Sequence, residues 1–112
     1  AHGAGLAAIW GSWARYVLKQ NPCRFAQLAV NVLNVPYSFG NDEKTALEGI
    51  AAMEDFFRSI GMPTSISDME IELTDTQIKE LAHKCSFMGR RTIGGFVILN
   101  AADMENIYRM AR

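Results

Sequence analysis

Apolar residues recur at helical spacing along most of this chain, and the longest such run lies near its start. Leu6, Ile9, Trp10, Trp13 and Val17 follow one another at three- and four-residue steps, which sets one bulky core stripe along a helix over Gly5–Leu18. The other sides of that helix carry Ala4, Ala7, Ala8, Gly11, Ser12 and Ala14, small enough for neighbouring helices to approach closely and surround it. Arg15 and Lys19 stand toward its C-terminal end, where positive charge suits the helix macrodipole. His2 and Gly3 stand ahead of it, where an imidazole can point away from the helical core while the glycine lets the backbone turn.

Four more helices follow from the same pattern. Asn21-Pro22 stops the first and caps the second, which runs to about Asn34 with Phe25, Leu28, Ala29 and Val32 inward and Arg24 and Gln27 toward water. After a connector punctuated by Pro36 and Gly40, Asn41 or Asp42 caps a third helix reaching about Ile60. Its core stripe is Leu47, Ile50, Met53, Phe57 and Ile60, its wet face Glu43, Lys44, Glu54 and Arg58, and Gly49 inside it marks a close crossing by another helix. Gly61 and Pro63 end that helix. Thr64–Leu73 reads as an irregular link with at most one helical turn, since its alternating Ile71 and Leu73 have no comparable strand to pair with.

Thr74-Asp75-Thr76-Gln77 is a capping box, and the helix it starts carries Ile78, Leu81, Ala82 and Cys85 on one face and ends near Met88, before Gly89. His83 falls off that face and reads as an exposed helix residue without a chemical role. Arg90 to Phe96 is a glycine-paired loop, and Asn100 caps a last helix with Met104, Ile107, Tyr108 and Ala111 inward, Asp103 and Glu105 near its positive end and Arg109 and Arg112 at its negative end. Five helices joined by short connections, with no credible sheet, make an all-α domain: a compact bundle with orthogonal or antiparallel crossings.

Composition narrows the function classes. At 112 residues the chain is a single domain, 1–112, and with 49% hydrophobic residues it can build a real core. Eleven basic and twelve acidic residues, mixed along the chain, leave no basic stripe for a phosphate backbone, so nucleic acid is not an expected partner. The longest mainly apolar run, Gly5–Ala14, is about half the roughly 20 residues a membrane span needs, so neither is a membrane. Cys23 and Cys85 read as buried, reduced thiols on helices. His2 and His83 form no HExxH or i, i+4 pair, no CxxC is present, and no complete metal site can be read from the chain. The absence of an initiator Met and the abrupt start at Ala1-His2-Gly3 suggest a piece of a longer chain.

Several phrases, in order, carry a resemblance. Ala1-His2-Gly3-Ala4-Gly5-Leu6-Ala7 opens the long helix, Ile60-Gly61-Met62-Pro63-Thr64 precedes the link, and Thr92-Ile93-Gly94-Gly95-Phe96 leads into a helix ending Ile107-Tyr108-Arg109-Met110-Ala111. With these phrases the chain resembles, over nearly all its length, the C-terminal helical domain of the iron-containing alcohol dehydrogenases, in the NAD(P)H-dependent butanol dehydrogenase branch. The resemblance implies the C-terminal half of a two-domain dehydrogenase in which His2 is the last metal ligand. An Asp and two further His, earlier in the sequence, would supply the others. It also implies that the loop with Thr92, Gly94, Gly95 and Phe96 borders the substrate cleft.

The chemistry implied is hydride transfer between NAD(P)H and a small alcohol or aldehyde, assisted by a divalent metal, iron or alternatively zinc. Its partners would be an N-terminal α/β domain of the same chain, absent here, and further copies in a cytoplasmic homo-oligomer. No GxGxxG-type phosphate loop occurs in the sequence, so neither cofactor is expected on this chain alone, which should be inactive by itself. The competing readings are a self-standing helical protein-interaction module and, more weakly, a metalloprotein in its own right.

Overall fold

Capping chemistry and glycine stops divide the chain into five α-helices: α1 (His2–Val17), α2 (Pro22–Asn31), α3 (Asp42–Ser59), α4 (Asp75–Cys85) and α5 (Ala101–Ala111). The structure is a computed structural model and describes residues 2–112. Among the described residues the only extended pairing is one antiparallel bridge between Ile93 and Leu99, so the domain is all-α as the pattern predicts. Helix α1 lies between two helical pairs, packing against α3 of the α2–α3 pair and against α5 of the α4–α5 pair. The core gathers where these meet, around Val17, Leu18, Phe25, Ile50, Leu99 and Ile107.

Several caps form as the sequence predicts. Asn41 accepts from the Lys44 N–H, while Thr74 with Gln77 and Asn100 with Asp103 close reciprocal capping boxes. Asn21 does not cap with its side chain. Gly61, at φ +77°, stops α3, and the Met62 N–H returns to the Phe57 carbonyl at 2.8 Å. The link after it holds a single 3-10 turn, Ser67–Met69.

Other boundaries move. Helix α1 begins at His2 rather than Gly5, so His2 belongs to its first turn, and a 3-10 turn, Leu18–Gln20, continues it. Gly3 and Gly5 each cost about 1 kcal/mol relative to Ala, and the good helix formers Ala4, Leu6, Ala7 and Ala8 carry the helix through them. Helix α2 ends at Asn31, short of Asn34, whose left-handed φ of +56° turns the chain back so that the Val35 N–H reaches the Ala29 carbonyl at 3.0 Å. Helix α4 ends at Cys85 rather than near Met88, because the buried Ser86 hydroxyl donates to the His83 carbonyl (3.1 Å) and accepts from the Gly89 N–H (3.0 Å). The connector between α2 and α3 runs exposed past Tyr37 to Phe39, which is 97% exposed.

The largest correction concerns which side of α1 is inside. Its small residues, Ala7, Ala8, Gly11, Ser12 and Ala14, are buried, whereas of the bulky stripe only Val17 is. Leu6 is 59% exposed, and Ile9, Trp10 and Trp13 are half-buried along the seams beside the core. Small side chains let a neighbouring backbone come close, and the large rings then fill the grooves alongside: Trp10 stands edge-on to Phe57 at 6.1 Å and Trp13 lies against Phe25 at 6.0 Å.

Similar departures occur elsewhere. Val32 is exposed rather than inward, as are Leu47 and Ile60 of the expected α3 stripe, while Tyr108 of the α5 face is half-buried. Glu54, expected in water, is buried and held by Arg15. The crossing expected at Gly49 is present: a Cβ there would lie 3.0 Å from Ala29 Cα and overlap the Ala29 side chain.

Candidate functional site

His2 is the first residue of α1 and is exposed, an imidazole mounted on the end of a sixteen-residue helix whose other end is anchored in the core. Beside that end of α1 is a hollow of about 570 Å³ lined by Ala4, Arg58, Gly61, Met62, Pro63, Asp68 and Met69. Two phrases far apart in sequence, the head of α1 and Ile60–Thr64, therefore meet at one end of the molecule. Periodicity reads Ile60–Thr64 as a helix stop and Arg58 as a solvated residue; it is as a phrase carrying the resemblance that the sequence singles out Ile60–Thr64, and nothing in the pattern places it beside the head of α1. Asp68 is fixed there by the Thr64 N–H (3.1 Å) and hydroxyl (3.2 Å). Hydrogen bonding, chiefly from the Thr64 backbone, holds its carboxyl below the usual carboxylate range.

The glycine loop is built differently. Ile93 and Leu99 exchange two backbone hydrogen bonds, 3.0 and 2.7 Å, and pinch residues 94–98 into a tight bend. Gly94 sits at φ +109°, where a side chain would run into the Val97 carbonyl oxygen, so glycine is required there. Thr92, Gly94 and Gly95 are exposed. Phe96 is pinned by rings, edge-on to Phe25 at 5.3 Å and to Trp13 at 6.3 Å. These rings, with Trp10, Arg24 and Leu28, line a second hollow of about 230 Å³. Trp13 stands about 16 Å along α1 from His2 at 1.5 Å per residue, so Phe96 meets the helix well away from the histidine.

The other potential donors are scattered. His83 is exposed on α4, as expected; Cys23 is exposed on α2, contrary to the expected burial, and Cys85 is half-buried on α4, both as free thiols. Among the described residues no three His, Cys, Asp or Glu side chains come together as a metal site. As a donor for a metal, His2 fits in chemistry and exposure, but as one ligand of a set, not as a site in itself.

Over residues 1–112 the chain matches the model of the Fe-containing alcohol dehydrogenase family, C-terminal part. It belongs to that family. Among curated relatives, a probable NADH-dependent butanol dehydrogenase of Bacillus subtilis is 38% identical over 108 residues, covering 96% of this chain and 27% of the relative. NADH-dependent butanol dehydrogenase A of Clostridium acetobutylicum is 27% identical over 109 residues, again 96% of this chain and 27% of that protein. The crystal structure of NADH-dependent butanol dehydrogenase A from Thermotoga maritima superposes with a TM-score of 0.83 at 25% identity, over 99% of this chain and 28% of that one. The chain thus spans little more than a quarter of the length of these relatives, and corresponds to the family's C-terminal helical domain. No described helix is long and apolar enough to cross a membrane.

Proposed function

We propose that this chain works as the C-terminal domain, 1–112, of a metal-dependent, NAD(P)-linked alcohol dehydrogenase or aldehyde reductase acting on a small alcohol or aldehyde. In that enzyme it is joined to an α/β domain that binds the dinucleotide and supplies the remaining metal ligands. The observation that carries the reading is the match along 96% of the chain to relatives named as NADH-dependent butanol dehydrogenases, of which it spans 27%.

A divalent metal, iron or alternatively zinc, polarises the alcohol or aldehyde oxygen when bound. The contribution of this chain is to place one imidazole, His2, at the end of a rigid helix, and to offer the loop of Thr92, Gly94, Gly95 and Phe96 as part of the substrate cleft wall. The aromatic backing of Phe96 by Trp13 and Phe25 supports the second role, since packed rings hold the loop as a fixed apolar wall.

The surface supports a missing partner as well. A folded monomer of this mass is expected to expose about 6,100 Å², whereas this chain exposes 6977 Å². The excess is close to the roughly 800 Å² that one side of a standard interface buries. In the complete enzyme, His2→Ala is expected to remove most bound metal and lower kcat/KM in proportion, as metal analysis and steady-state kinetics will read. Unchanged metal content in that variant would remove His2 from the ligand set.

A further inference from the structure

The face of α1 turned to the core is built mostly of small residues, Ala7, Ala8, Gly11 and Ala14, which offer few of the large knobs that lock one helix into the grooves of another. Val17 in the core and Trp10 against Phe57 are the large contacts on that side. A charged contact with α3 adds to them. Glu54, in the C-terminal half of α3 and only 8% exposed, accepts from both terminal guanidinium nitrogens of Arg15, Nη1 to Oε2 at 3.0 Å and Nη2 to Oε1 at 2.5 Å. Its carboxylate lies against the α1 backbone at Gly11, where any Cβ would overlap it. Sliding α1 along α3 would leave a desolvated carboxylate without its cation, and turning α1 would bring a side chain into the place of Gly11. Glu54 is the buried member and Arg15 reaches it from a half-exposed position; fixing register is the best-attested use of ion pairs with a buried member.

We propose that Arg15 and Glu54 are positioning residues for His2: their fork fixes the axial and rotational register of α1 on α3, and thereby the place where the His2 imidazole stands. The proposal rests on the reading of His2 as a ligand. Helix α1 is continuous from Arg15 to His2, so the register set at Gly11 is carried about 14 Å to the histidine. A slip of one residue moves the ligand by about 1.5 Å along the axis and turns it by about 100°, against a tolerance of about 0.2 Å in a metal–nitrogen distance.

The test uses the complete metal-loaded enzyme and the double variant Arg15→Met/Glu54→Leu, which replaces the pair by apolar groups of similar volume. Expected are a thermal midpoint near that of the parent, a metal affinity about ten- to hundredfold weaker by chelator competition, and a fall in kcat with little change in KM. In the metal-free protein the near-ultraviolet circular dichroism of Trp10, whose ring meets Phe57 across the same helix pair, should change while the far-ultraviolet spectrum does not. Arg15→Lys, which keeps the charge and loses the planar fork, should fall between parent and double variant, and decides the matter should the double variant not fold. A folded variant without the fork that binds metal as tightly as the parent overturns the proposal. His2→Ala separates the two levels: if it leaves the metal in place the ligand reading fails, and if it releases the metal while the variants without the fork retain it, only the positioning role fails.

Discussion

At Gly49 the backbones of α2 and α3 approach closely, with a hypothetical Cβ 3.0 Å from Ala29 Cα. An alanine at this position would gain about 1 kcal/mol in helix propensity and lose about 1–3 kcal/mol by overpacking. Because the obstruction includes the Ala29 backbone, which cannot swing aside, Gly49→Ala should destabilise the domain by about 1–2 kcal/mol. Chemical denaturation would show this as a lower midpoint at unchanged slope; a higher midpoint would mean that α2 yields. This crossing is legible in the sequence, since a mid-helix glycine has a local cost that a close approach explains. The burial of Glu54 is not legible in the same way. Its neighbours on α3 place it among wet residues, and the guanidinium that neutralises it comes from Arg15, 39 positions earlier. Cys23 departs from expectation for a related reason: a helical cysteine reads as buried, but the side of α2 that it occupies faces out.

Helix starts are written in short-range chemistry, which is why Thr74–Gln77 and Asn100–Asp103 could be recognised as caps without knowing the fold. Helix faces are not, because burial depends on what comes to lie opposite. On α1 a stripe of large residues and a side of small ones were both available, and the close approach of neighbouring helices favoured the small side. Asp103 shows the same layering of local and distant roles: Oδ2 accepts from the Asn100 N–H in the cap, while Oδ1 accepts the Tyr16 hydroxyl of α1 at 2.6 Å. Helices α4 and α5 are tied at the surface by Arg112, whose Nη1 donates to Asp75 Oδ1 at 2.8 Å. That hydrogen bond, then the charge of Arg112, holds the Asp75 carboxyl below its ordinary value of 3.8. With a folded pKa depressed below the unfolded one, the contribution of the pair to stability is present above the unfolded value and lost as pH falls through the folded one. A carbon-13 titration of the Asp75 carboxyl should therefore give a midpoint below 3.8 in the parent, moving up in Arg112→Ala; the same midpoint in both would dissociate Arg112 from the shift.

For the molecule as a whole, the radius of gyration of 14.7 Å exceeds the roughly 13 Å expected for a compact chain of this length. The elongation agrees with the large exposed area and with side chains such as Leu6, Phe87, Met88 and Ile98 left facing out. Five helices were legible from periodicity because each carries its own signal; how they assemble, and which surface remains open, depends on partners that periodicity does not encode. The exposed connector past Tyr37 and Phe39 divides α1 and α2 from α3, α4 and α5, yet α1 and α2 both pack on α3. Limited chymotrypsin digestion should cut first after Phe39, and the two products should co-elute in gel filtration; separation of the products, or first cleavage elsewhere, would contradict this. Co-elution would mean that covalent continuity at that point is dispensable, and that two genes, one carrying His2 and the other Glu54, could supply products that reassemble.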